Sequence, residues 1–250
     1  MTQHQSRPPD LEKKLAHGRA ATVRVTVEAM IARKSWASFE AIFGRRDTPR
    51  TTLREAIDQL GVKGASSALL TALARDTLLA LFRTTDAPGD GKLTLCRISA
   101  ILHDKNVVRC LLDDTRNWIP DSSEEFQNRL APICEQAVSF ITGIVPAKWD
   151  TNNPPPDQRL FKLRSKLKPF RDQMLAHSAD ASSVTVPTRK DTVEFLVIVS
   201  QLVDKARLLF LGSTGIWESD YAAQLTEATK FWDSIEEALG STHLSEKPIA

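Results

Sequence analysis

Apolar residues recur along most of this chain at alternating steps of three and four, the period of one face of an α-helix. The most regular run is Leu160, Leu163, Leu167, Phe170 and Met174, with His177 next in the series. Pro169 falls inside it without shifting the register, so the pattern predicts one helix, kinked between Lys168 and Phe170, rather than two helices. Upstream, Pro8, Pro9 and Asp10 start a helix through Leu11, Leu15, Val23 and Val27 to about Phe43, where Gly44 stops it. Thr48 before Pro49 opens the next. From Val62 to Phe82, Leu69, Leu70, Leu73, Leu78, Leu79 and Leu81 cover so much of the circumference that a central helix is expected. Arg75 and Asp76 interrupt it, either as a surface boundary pair or as support for a site.

Punctuation divides the remainder. Asp86 to Lys92, DAPGDGK, is a loop that lacks the glycine spacing and the GK-Ser/Thr ending of a phosphate loop. Two short helices follow, Leu93 to His103 and Lys105 to Leu112. Asp121 with Glu124 forms a capping box for a helix to about Val145, and Asn152 to Pro156, NNPPP, is the sharpest break. After His177 a loop leads to Thr188, which with Asp191 caps a helix ending near Gly212. A last helix, Glu218 to Leu239, stops at Gly240. Strand-like alternation is confined to the short SVTV, and no fixed-period repeat occurs. The fold class is therefore all-α, a helical bundle of about eight to ten helices. Residues 1–8 form a flexible start, 9–240 a single helical domain and 241–250 a flexible tail.

With 42% hydrophobic residues a packed core is within reach, while a net charge of +2 leaves no whole-molecule field to draw a polyanion, so nucleic-acid affinity needs a local patch. The Leu160 helix supplies one. Arg159, Lys162, Arg164, Lys166, Lys168 and Arg171 flank its apolar stripe against only Asp157 and Asp172. These cations read as a solvated face or as contacts to an RNA backbone, foremost Lys162, Arg164 and Lys168. Trp118, Trp149, Trp217 and Trp232 read as packing residues in preference to base-stacking platforms.

Cys96, Cys110 and Cys134 are odd in number and sit in apolar surroundings, which fits buried free thiols of a reducing compartment. Zinc spacing is absent, and no cofactor or metal is expected. The start lacks a signal-peptide core and no charge-free apolar run reaches about 18 residues, so a soluble cytoplasmic protein without membrane association is expected.

From Arg171 to His177 the sequence reads Arg171, Asp172, Gln173, Met174, Leu175, Ala176, His177. This resembles the HEPN superfamily, whose signature is an Arg, usually followed by a polar residue, with a His a few residues on. The segment RDQMLAHSAD is most similar to the branch found in abortive-infection, phage-defence proteins of the AbiU type, where an Arg-Asp pair leads to Ala-His and an acidic residue, here Asp180. The resemblance extends in element order over about 60–212, which makes 9–60 an N-terminal helical arm and 217–239 a C-terminal helix. It implies a homodimer whose cleft collects Arg and His from both subunits, and metal-independent cleavage of RNA to a 2′,3′-cyclic phosphate. His177 would move the proton, Arg171 hold the phosphate, Asp172 orient Arg171 and Asp180 orient His177. It also implies an antitoxin or other defence partner. Many HEPN toxins carry a Tyr two residues past the His, the site their antitoxin modifies, whereas Ala179 stands here and the lone tyrosine is Tyr221.

Two readings of the residues themselves stay open. Without the resemblance, His177 on an apolar stripe reads as a core or C-terminal capping histidine. Six residues turn a helix through about 600°, so Arg171 and His177 point about 120° apart and cannot form a tight pair within one copy; the resemblance implies that a two-fold dimer brings them together. Arg97 to His103 repeats the spacing, but with an apolar Ile98 after the Arg and no basic flank it reads as coincidence. A catalytically silent helical module that dimerises or binds a partner is the alternative function.

Overall fold

The structure, a computed structural model, describes residues 7–45, 48–49, 53, 55, 57–58, 64–87, 92–115, 124–150, 152, 154–175, 188–213, 215 and 217–245. Among these residues eight helices occur: α1 (Pro9–Phe43), α2 (Ala65–Thr85), α3 (Leu95–Leu102), α4 (Lys105–Thr115), α5 (Glu124–Ile144), α6 (Arg159–Leu175), α7 (Arg189–Leu211) and α8 (Trp217–Ser245). The all-α expectation and the helix number both hold. Two-residue strands β1 (Gly44–Arg45) and β2 (Thr48–Pro49) pair antiparallel, Gly44 opposite Pro49. They correct the expected helix start at Thr48, because Pro49 lacks the N–H a ladder interior needs but fits the edge of so short a pair. Helical backbone is present further on, at Leu53, Glu55, Ile57 and Asp58. The expected capping box at Asp121 and the loop after His177 lie outside the described residues.

Contacts divide the chain into two compact units, one of residues 1–29 and 81–216, the other of 30–80 and 217–250, so α1 and α2 each contribute to both. In the first unit α5 packs along α7, with α3, α4 and α6 against this pair. Their seam is apolar: Ile141, Phe195, Val199, Leu202 and Val203 are fully buried, and so are Leu160 and Leu167 of α6. The first part of the α6 stripe, Leu160, Leu163 and Leu167, is therefore spent within the chain, while Phe170 is half-buried. The helix stays continuous across Pro169, as its unbroken register implies. Thr188 caps α7 by accepting from the Asp191 N–H, and Gly212 ends it at φ 61°, a left-handed conformation that costs glycine least.

In the second unit Trp36, Phe39 and Phe43 stack along α1 with ring centroids 4.7 and 5.6 Å apart. Tyr221 of α8 donates to Glu40 at 2.5 Å. Arg33, almost fully buried, faces Asp220 at 3.8 Å. In α2, Leu70, Leu78 and Leu81 are buried while Leu69, Leu73 and Leu79 are half-buried and Arg75 and Asp76 exposed. The expected all-round burial is thus confined to one face. By length and composition α2 is apolar enough to cross a membrane, as the core helix of a soluble protein also can be. At the far end α8 runs through Gly240 to Ser245, beyond the expected stop. A glycine inside a helix costs only about 1 kcal/mol relative to Ala, which the rest of a long helix can absorb.

Candidate functional site

Arg171 lies seven positions after Arg164, two turns of α6, and Lys168 lies between them, so the three cations share one face about 10 Å long. The fold brings Asp86, at the end of α2, to that face. Its Oδ1 accepts from Arg164 Nη2 at 3.2 Å and from Arg171 Nη1 at 3.1 Å. Arg171 also donates from Nε and Nη2 to Asp172 Oδ1, at 2.8 and 2.5 Å, and Lys168 donates to Asp172 Oδ2 at 2.6 Å. Three positive side chains are held by two carboxylates.

Aromatic rings complete the cluster. The Arg171 guanidinium lies 4.8 Å from the centroid of Phe82, and that of Arg164 lies 5.7 Å from Phe82 and 4.8 Å from Trp149. Phe82 meets Phe195 edge-on at 5.5 Å, which fixes the ring to the α7 core. The Trp149 indole donates to the Thr85 carbonyl at 2.7 Å, so the α5–α6 connection is tied to the end of α2. Trp149 thus serves packing and offers one face to an arginine.

Desolvation pulls Arg164 below its ordinary value, opposed by the charge of Asp86, and its Nε is buried without a partner. The hydrogen bond from Lys168, followed by those from Arg171, holds the Asp172 carboxyl below the usual carboxylate range. Burial pushes the neighbouring Cys96 thiol up to about 12, which removes it as a nucleophile near neutral pH.

The sequence-derived residues fall into distinct places. Arg171 and Asp172 are brought together, with Lys168 beside them. Arg164 joins from the inside, its side chain only 13% exposed, rather than from a solvated face. Lys162 is exposed two residues before Arg164, on the opposite side of the helix, and Lys166 pairs with Asp191 at 2.8 Å, tying α6 to the start of α7. His177 and Asp180 lie outside the described residues. His103 sits at the end of α3 with its ring Nδ1 2.7 Å from the Ser99 carbonyl, a capping contact, while Arg97 is exposed on α3. Sequence reasoning missed Asp86 and Phe82, and it read Trp149 for packing alone, without its face to Arg164. The spacing of Arg164, Lys168 and Arg171 signalled a shared face, but a loop carboxylate 85 residues upstream of Arg171 left no local trace. Among the described residues no group of three or more His, Cys, Asp or Glu is arranged to hold a metal ion. Neither a protein-family model, nor a curated protein, nor a solved structure matches this chain.

Proposed function

We propose that the protein is a HEPN-type, metal-independent ribonuclease acting in the cytoplasm as a phage-defence or toxin-like protein, with Arg171 and His177 as its reacting pair at a homodimer interface. One observation supports this reading above others. Arg164, Lys168 and Arg171 carry three positive charges against the two of Asp86 and Asp172, so the cluster is one anion short. Asp86 and Asp172 engage three of the five Arg171 N–H groups, which leaves two for a phosphate oxygen.

In this reading the imidazole of His177 takes the proton of a ribose 2′-hydroxyl, whose oxygen attacks the adjacent phosphorus. The bond from phosphorus to the 5′-oxygen breaks, and the proton passes to that leaving oxygen. Arg171 balances the charge that builds on the phosphorane, a role for fixed paired donors. Asp172 keeps the guanidinium oriented, Asp180 orients His177, and Lys162 and Lys168 hold flanking phosphates, with Arg164 adding charge from the interior. Leu160, Leu163 and Leu167 of the α6 stripe are buried within one chain, so a two-fold partner meets the basic flank and the Arg171 end.

The test is cleavage of total RNA by the purified protein with EDTA present, scored for 2′,3′-cyclic phosphate ends. His177→Ala and Arg171→Ala should each lower the rate by about 10² to 10⁴. His103→Ala should leave it unchanged. A wild type that cuts nothing, or a His177→Ala variant of equal activity, overturns the proposal. The second reading, a silent dimerising or partner-binding module, is favoured by one fact: the Arg171 side chain is only 16% exposed and already bound by two carboxylates.

A further inference from the structure

We propose that the groove on the other side of Asp86 is a second phosphate subsite, which takes the backbone of the RNA strand held at Arg171. The inference rests on the RNA reading above and extends it to a surface built from other helices. The groove is open, with a volume of about 360 Å³, and is lined by Arg24, Arg83, Asp86, Lys92, Leu93 and Thr94. Arg24 and Arg83 both pair with Glu28, at 2.5 and 3.3 Å, and Glu28 is only 2% exposed. A buried carboxylate thus fixes two guanidinium groups whose side chains stay half exposed. Lys92 is exposed and forms no ion pair among the described residues. Among the described residues the one carboxylate in the wall is Asp86, which is already shared by Arg164 and Arg171.

An independent observation points to an anionic ligand. Thr94 stands at the N-cap of α3 and is 3% exposed, yet its hydroxyl caps nothing and has no hydrogen-bond partner. A buried hydroxyl without a partner costs about 1 to 3 kcal/mol, which a hydrogen bond to a ligand would recover. The first turn of a helix adds unpaired N–H groups and a positive dipole end, which favour an anion at the same place. Cations, a donor hydroxyl and a helix start together suit a phosphodiester. Because Asp86 links this wall to the Arg171 cluster, a strand with its scissile phosphate at Arg171 lays a neighbouring phosphate in the groove.

The probe is a single-stranded oligomer of 2′-O-methyl RNA, which cannot be cut because the attacking hydroxyl is blocked. Its binding is followed by fluorescence anisotropy across a salt series. Lys92→Gln should weaken binding several-fold and lower the slope of log K against log salt by about 0.7, the value for one phosphate contact to a single strand. Thr94→Val should weaken binding with the slope unchanged, since a neutral donor releases no counterion. Arg83→Gln leaves Glu28 paired with Arg24 and should act like Lys92→Gln. Lys13→Gln, an exposed cation away from the groove, should change nothing. Pyrophosphate as competitor separates a strand from a small ligand: displacement of the oligomer only at high concentration fits a strand subsite, and tight pyrophosphate binding with no oligomer binding overturns it. Unchanged affinity and slope in Lys92→Gln and Arg83→Gln likewise overturn the groove, whatever the cleavage assay says. Oligomer binding through Lys92 without cleavage of ordinary RNA would instead remove the ribonuclease reading and leave the subsite standing.

Discussion

At the scale of single residues, Asp86 is the pivot, because one carboxylate oxygen answers two guanidinium groups that α6 presents two turns apart. Removing its charge strands Arg164, whose side chain is mostly buried and whose Nε already lacks a partner. Asp86→Asn should therefore cost about 1 to 3 kcal/mol, read as a lower urea midpoint at unchanged m-value. Arg164→Met removes the buried charge and keeps the packing on Phe82 and Trp149, so in that background the same change should cost markedly less. Equal losses in both backgrounds would show that Asp86 acts through something other than Arg164. Thiols offer a second check on the residue scale. Burial raises Cys96 to about 12 and Cys134 to about 11, and both are fully buried, whereas Cys110 is partly exposed. A thiol reagent at pH 8 should modify Cys110 first in the native protein and reach the other two only on unfolding.

Elements are held by a few cross-helix devices with separate signatures. Gly18 of α1 lies against the buried ring of Phe210 on α7, and a Cβ there would overlap that ring. Gly18→Ala should destabilise by about 1 to 3 kcal/mol from overpacking, against a helix-propensity gain of about 1 kcal/mol. Thermal or urea unfolding gives the sign, and a net stabilisation would mean the ring moves aside freely. The start of α7 depends on pH. Hydrogen bonds from Lys166 and then Thr188 hold the Asp191 carboxyl below its usual range. A carboxyl lowered on folding contributes stability that is fully present above the unfolded value, about 3.9, and is lost as pH falls through the folded one. Asp191→Asn should thus lower the urea midpoint at pH 7, by about 1 kcal/mol or less. Near pH 2 the gap to the wild type should narrow, and a gap constant with pH would assign the effect to packing.

On the scale of the whole molecule, the placement of α6 decides what an assembly can use. Leu160, Leu163 and Leu167 are consumed against α5 and α7, so a homodimer must form on the polar side of the helix or elsewhere. Such an interface draws on charged groups, and its affinity should fall as salt rises. Sedimentation velocity at micromolar concentrations is expected to show a dimer at low salt that weakens with added salt. A strict monomer under both conditions would remove the shared-cleft mechanism. Dimerisation indifferent to salt would point to an apolar surface instead.

What the sequence alone determined is helical. The 3.6-residue register, the proline and glycine boundaries and the Thr188 cap are local properties, legible because each depends on residues within a turn or two of one another. Thus α1, α3, α4, α6 and α7 were placed to within a few residues, and Arg171 with Asp172 could be singled out on the basic helix. The two local rules that misled, a helix start at Thr48 and a stop at Gly240, concern preferences of about 1 kcal/mol that neighbouring structure easily outweighs. Tertiary structure alone decided which cations face water. Arg164 and Lys162 look alike in the sequence, yet one is buried between Phe82, Trp149 and Asp86 while the other is exposed. Asp86, Glu28 and Thr94 acquire meaning in the same way, since burial and long-range pairing are set by packing within the first unit and leave no periodic trace in the chain.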